Sequence, residues 1–383
     1  MVLFGATGYT GVLAAEYLAR HASPQTRLAL AGRSRVKLEA VRGRLAQINP
    51  AREAIGLLYA EVNDSASMRG LAEATRVAIS TVGPYTLYGE PLVAACAAAG
   101  TDYVDLTGEP EFINRMWFGY HEQAARTGAR IVHSCGFDSI PCDLGALFTV
   151  KQLPEGVPIH IDGFVRAGAT LSGGTYHSAI GVIGRLRQAA RVAGERRRSE
   201  VSPRGRSVKG AARAPHHDAA AGGWVVPFPT IDPVTVLRSA RALDRYGPQF
   251  TYTHYLVIKR LAVLMAMGAG AGVAVALAQL TPTRNLLLKL KDPGEGPSPQ
   301  ERAEGWFRVR FVAQGGTQPV LTEVAGGDPG YGETAKMLCE SALCLAHDAL
   351  PQRGGQLTPA VAMGQALIER LIAAGISFRV LAA

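Results

Sequence analysis

The chain is short of several things that would direct it elsewhere. Among its 383 residues are only five cysteines (Cys96, Cys135, Cys142, Cys339 and Cys344), and they show no metal-ligand spacing. Their odd number fits a reduced, cytoplasmic chain rather than a disulfide scaffold, and no metal is expected. Charged residues make up only 19% against 48% hydrophobic ones, a balance that excludes disorder over most of the length. The net charge of +9 comes without any recognised nucleic-acid motif. It therefore suits a phosphate-bearing ligand, an acidic protein partner or an anionic membrane face. Neither an internal repeat nor a signal peptide is evident. The N-terminus opens directly inside an apolar strand, and from that abruptness a start upstream of Met1 is expected.

What is present begins at once. Met1-Val2-Leu3-Phe4 is a short apolar strand running into Gly5-Ala6-Thr7-Gly8-Tyr9-Thr10-Gly11. After it Val12, Ala15, Leu18 and Ala19 recur at helical spacing. Three glycines at a strand-to-helix turn are what a dinucleotide pyrophosphate requires. Glycine lets the backbone approach the phosphates, and the helix N-terminus offers free N–H groups and a partial positive charge. The spacing is G-x-x-G-x-x-G rather than G-x-G-x-x-G. Gly5, Thr7, Gly8, Tyr9, Thr10 and Gly11 are the expected contacts.

A second absence selects the cofactor. The next strand, Thr26 to Ala31, ends in Gly32-Arg33-Ser34-Arg35, about twenty residues past the glycines. An NAD enzyme carries Asp or Glu here for the ribose 2′-hydroxyl, and neither is present. Arg33 can instead pair with a 2′-phosphate through its planar fork, and Ser34 can add a hydroxyl donor. The alternative is a merely solvated arginine loop. The expected cofactor is NADP(H).

Strand and helix signals alternate to about residue 150, which predicts a doubly wound parallel sheet of Rossmann type with ligands at the carboxyl ends of its strands. Residues 54–62, 77–82, 101–106 and 129–133 read as its later strands. Between 151 and 330 the pattern changes. Phe250, Tyr252, His254, Leu256 and Ile258 alternate, as do residues 306–312, and predict a second α+β domain with a mostly antiparallel sheet. Residues 331–383 read as helices returning to the nucleotide domain. The basic stretch 185–213, with Arg196-Arg197-Arg198, reads as a solvated or partly disordered loop, the alternative being a docking patch for an acidic carrier protein or membrane.

Residues 261–280 contain no charge, a length that would span about 30 Å as a helix. Gly268, Gly270 and Gly272 interrupt the run and alanine fills much of it, so a segment lining a lipid-sized cavity or touching a membrane is expected rather than a true span.

The ordered set Gly5–Gly11, Ala31-Gly32-Arg33-Ser34, Thr81-Val82-Gly83-Pro84-Tyr85 with Tyr88-Gly89, Asp102–Glu109, Cys135–Pro141 and Leu357–Gly364 resembles the saccharopine dehydrogenase-like oxidoreductases, above all the mycobacterial trans-acting enoyl reductases. The match is dense over the first 150 residues. The resemblance implies a Rossmann domain, NADP(H), and reduction of an enoyl thioester in lipid or polyketide synthesis. The substrate would be carried by a polyketide synthase that lacks a working enoyl reductase of its own. Two further readings stand beside it: a saccharopine-type amino-acid dehydrogenase, and a non-catalytic NADP(H)-sensing scaffold. The nicotinamide is expected over the ends of strands four to six. There Val82, Gly83 and Pro84 would contact it, and Tyr85 or Tyr88 would supply a proton. Asp105 could instead anchor a turn, and Cys135 has no base beside it that would make it a nucleophile. A cytoplasmic protein, with membrane association as an option, is expected.

Overall fold

The computed structural model describes residues 1–168, 186–200, 203–266, 283 and 297–382. Two compact units emerge, each from discontinuous chain: Met1–Phe137 with Gly330–Ala374, and Asp138–Pro329 with Gly375–Ala383.

The first unit is built on a seven-stranded, all-parallel sheet. Its strands are β1 (Val2–Phe4), β2 (Ala29–Gly32), β3 (Gly56–Tyr59), β4 (Val77–Ser80), β5 (Asp102–Asp105), β6 (Arg130–Val132) and, from far downstream, β14 (Gly355–Leu357). Their order is β14-β6-β5-β4-β1-β2-β3. The order reverses between β1 and β4, the switch point at which such sheets bind ligands. β4 and β5 are buried along their whole lengths, as expected for strands covered on both faces. Helix Gly332–His347 presents Ala335, Leu338, Cys339, Ala342 and Leu345 to the interior and packs on helix Tyr9–His21 and strands β4 and β5. Arg130 pairs with buried Asp102 and also donates to the Leu345 carbonyl at 3.0 Å, which ties that helix to the sheet.

The second unit holds an eight-stranded mixed sheet. Its path is β15 (Ser377–Leu381), β13 (Val320–Gly326), β12 (Trp306–Gln314), β7 (Ile159–Gly168), β11 (Gln249–Ile258), β10 (Gly223–Pro227) and β9 (His216–Asp218), with β8 (Ser207–Gly210) paired to β11. Most pairs are antiparallel; β11 runs parallel to both β7 and β8. Alternation decides the faces. Phe307, Val309, Phe311 and Ala313 of β12 are buried, while Arg308 and Arg310 on its other face reach Glu323 at 3.1 and 2.8 Å. Helix Ile140–Val150 lies against the buried face at Gly145, where a β-carbon would stand 2.4 Å from the Phe311 ring. This helix therefore groups with the second unit, and the division falls at Phe137–Asp138 rather than near residue 150. The chain's last strand, β15, likewise pairs with β13, so residues 331–383 are not helical throughout and do not all lie with the first unit.

Part of the apolar stretch, residues 267–280, lies outside the described residues, as do residues 185 and 201–202 of the basic one. Residues 186–199 form a helix, and Arg196 is buried with its Nε 2.6 Å from Glu200. Among the described residues no helix is long and apolar enough to cross a membrane.

Candidate functional site

Gly5 leaves β1 in the left-handed region, with φ at 86°. A side chain there would be strained and would also meet Thr81 Oγ1 at 2.7 Å and Val82 Cγ2 at 2.8 Å. The Thr81 hydroxyl lies 3.1 Å from the Phe4 carbonyl and 3.2 Å from that of Gly5, so the ends of β1 and β4 are stitched together beneath the turn. Gly8 N–H donates to the Gly5 carbonyl at 3.0 Å, and Gly8 then caps helix Tyr9–His21 without any side-chain acceptor. The first-turn N–H groups of Thr10 and Gly11 consequently have no intrahelical partner and suit an anion. Thr7 and Gly8 are exposed, and a β-carbon on Gly8 would meet nothing but the Gly5 oxygen at 3.5 Å. Tyr9 is held edge-on against Tyr331, with ring centroids 4.6 Å apart.

Arg33 follows β2 directly and is exposed, with no ion-pair partner among the described residues. Arg35, in contrast, is paired with Glu39 at 2.9 Å. Ser34 caps helix Arg35–Ile48 by accepting from Lys37 N–H, which still leaves its hydroxyl proton to donate. An open turn and an unpaired guanidinium at the end of β2 are what a 2′-phosphorylated dinucleotide requires.

At the end of β4, Val82 and Pro84 are partly exposed and Gly83 is exposed. The two tyrosines named from the sequence part company here. Tyr85 is buried; its hydroxyl donates to the Ser80 carbonyl at 3.0 Å and accepts from Leu106 N–H at 3.2 Å. Burial, and next the neighbouring Asp105, push this phenol well above its ordinary value. Tyr88 is 43% exposed. The helix that carries both, Tyr85–Tyr88, starts on the Glu109 carboxylate, which accepts from Tyr85 N–H at 2.9 Å and Thr86 N–H at 3.0 Å.

Asp105 anchors the turns after β5 and β6. Its carboxylate accepts from Thr107 and Ser134 N–H at 3.1 and 3.0 Å and lies 2.7 Å from His133 Nδ1. Ser134 sits at φ 59°, and its hydroxyl bond to the Thr107 carbonyl at 2.6 Å helps hold it there. Cys135 is fully buried, which drives its thiol well above the usual range and removes it as a nucleophile. Glu109 as a helix cap and His133 as the Asp105 partner carried no roles in the sequence reading. The only signal for them was their position just past the ends of strands.

A parallel sheet with a glycine turn at its switch point defines a dinucleotide-binding protein of the Rossmann class. Residues 1–132 match the family model of the saccharopine dehydrogenase NADP-binding domain. A Mycobacterium tuberculosis relative is 38% identical over 99% of this chain and 96% of its own length. A trans-acting enoyl reductase of Mycobacterium ulcerans is 36% identical over 98% of this chain and 96% of its own. Among solved structures, apo saccharopine dehydrogenase (L-Glu forming) from Saccharomyces cerevisiae shares the fold, with a TM-score of 0.57 at 13% identity over 100% of this chain and 99% of that one. The chain belongs to the saccharopine dehydrogenase-like oxidoreductases, in the group that includes the trans-acting enoyl reductases, and its cofactor is NADP(H).

Proposed function

We propose that this protein reduces the carbon–carbon double bond of an enoyl thioester carried by another protein, such as a polyketide synthase carrier domain. The observation that carries the reading is near-full-length identity of 36% to a named trans-acting enoyl reductase, in a chain whose β2 is followed by Arg33 and not by an acid.

In this reading Gly5, Thr7, Gly8, Tyr9, Thr10 and Gly11 cradle the pyrophosphate, and Arg33 with Ser34 holds the 2′-phosphate. Val82, Gly83 and Pro84 lie along the nicotinamide. NADPH, when bound, supplies the hydride for Cβ. The exposed N–H of Gly83 polarises the thioester carbonyl, and a proton must reach Cα. Of the two tyrosines, the exposed phenol of Tyr88 is the one suited to donate it, because the Tyr85 hydroxyl is committed to Ser80 and Leu106. An acyl chain or a lipid surface would meet the apolar stretch that starts at residue 261. Leu261, Val263 and Met265 there are exposed directly after Lys259 and Arg260.

The test is NADPH oxidation, followed by absorbance, with enoyl thioesters of pantetheine in a series of chain lengths. Turnover with product reduced at Cα–Cβ is expected. NADPH binding without turnover on any enoyl thioester would overturn the reading in favour of a sensing scaffold. Turnover only with an amino-acid substrate would overturn it in favour of a saccharopine-type dehydrogenase.

A further inference from the structure

In the second unit, three residues far apart in sequence converge: Cys142 in the first turn of helix Ile140–Val150, Asp232 at the start of helix Asp232–Ala242, and His254 on β11. One ligand atom from each lies within 4.8 Å of the other two, and His254 Nε2 stands 3.8 Å from an Asp232 oxygen. All three are buried, at 3%, 5% and 6% exposure. Among the described residues His254 Nε2 has no hydrogen-bond partner. A bare ring nitrogen in such a place is costly unless something is meant to occupy it. Its other nitrogen, Nδ1, lies 3.1 Å from the Tyr252 hydroxyl, and the Phe228 ring stacks on the imidazole. If Nδ1–H donates to Tyr252, the Nε2 lone pair faces the thiol and the carboxylate. That is how metal-binding histidines are oriented. Gly163 leaves space for this support, since a β-carbon there would stand 2.5 Å from the Tyr252 hydroxyl oxygen.

The geometry points to a zinc site formed by Cys142 Sγ, an Asp232 carboxylate oxygen and His254 Nε2. Thiolate, imidazole and carboxylate are the zinc donor set, and three protein ligands leave a fourth tetrahedral position for water or another ligand atom. Zinc–ligand bonds of about 2.0–2.3 Å require the three atoms to draw closer than they stand. Without a cation, burial favours the neutral forms: it lifts Asp232 to about 7 and Cys142 well above its usual range, and lowers His254 to about 4. On metal binding the thiol and any proton on the carboxyl pass their protons to solvent, with no change of oxidation state.

The test uses chelator-treated full-length protein titrated with Co2+ and then Zn2+. One equivalent of Co2+ should give a near-ultraviolet thiolate-to-cobalt band that Zn2+ bleaches. Cys142→Ser should abolish the band. Tyr252→Phe, which leaves all three ligands in place, should weaken Zn2+ binding by about 10- to 100-fold in a competition assay. A wild-type protein without the band at one equivalent overturns the site, whatever the variants do. A band of equal strength in wild type and Cys142→Ser overturns it as well, because the metal would then lie elsewhere.

Discussion

The carbonyl oxygen of Gly5 lies 2.1 Å from where a β-carbon on Gly11 would stand, whereas the corresponding position on Gly8 is open. Two glycines of one motif thus do different work. Gly11 lets the helix sit against the turn, and Gly8 keeps space clear above it.

Substitution should separate the two roles. Gly11→Ala forces backbone apart and should destabilise the protein by about 1–3 kcal/mol, read as a lower Tm without cofactor. Gly8→Val should melt within a few degrees of wild type, since its φ of −79° and ψ of 165° suit a β-branched residue. It should nevertheless lose NADPH binding by calorimetry. Unchanged NADPH affinity in Gly8→Val would mean that the pyrophosphate does not sit on this turn.

Arg33→Ala should discriminate between cofactors. Loss of a charge-assisted pair costs about 1.5–3 kcal/mol, so NADPH should bind roughly 10- to 150-fold more weakly while NADH is barely affected. Equal losses for both would make Arg33 a structural residue.

The tyrosines predict opposite phenotypes. Tyr85→Phe strips partners from the Ser80 carbonyl and Leu106 N–H and should cost about 1–3 kcal/mol in denaturant unfolding. Tyr88→Phe should leave stability unchanged and lower kcat on an enoyl thioester. A Tyr88→Phe enzyme with full kcat would remove that phenol from proton transfer.

Asp348, just past helix Gly332–His347, receives Arg370 bidentately, Nε at 2.5 Å and Nη2 at 2.7 Å. Partial burial works against its charge. Even so, hydrogen bonds from Arg370 and the Cys344 thiol, together with the guanidinium charge, hold its carboxyl below the usual range. An acid with a lowered folded-state value contributes stability that is complete above its unfolded value, near pH 4, and is lost as pH falls through the folded one. Both side chains are about a quarter exposed, so Asp348→Asn should cost no more than about 1 kcal/mol at neutral pH. The gap to wild type should close in acid. A gap that widened below pH 4 would contradict this account.

Much of the nucleotide unit was legible because its signals are local. A strand, three glycines and a helix lie within twenty-one residues, and the missing acid after β2 is a single-position observation. The alternation in β12 was equally plain. What escaped depends on distant chain. β14 is three residues long and carries no strand pattern of its own, so nothing in Gly355-Gln356-Leu357 announces that it pairs with β6. Tyr85 and Tyr88 look equivalent on paper, and only burial separates them. Cys142, Asp232 and His254 have no ligand spacing because three separate elements bring them together.

The placement of β14 and β15 bears on how this protein is made. Each sheet takes a strand from residues 355–381, β14 into one and β15 into the other. Neither sheet can be completed on the ribosome until its strand from residues 355–381 has been made, so the N-terminal sheet cannot mature by itself ahead of that stretch. A premature stop before residue 355 would therefore leave an unfinished edge on each of the two sheets.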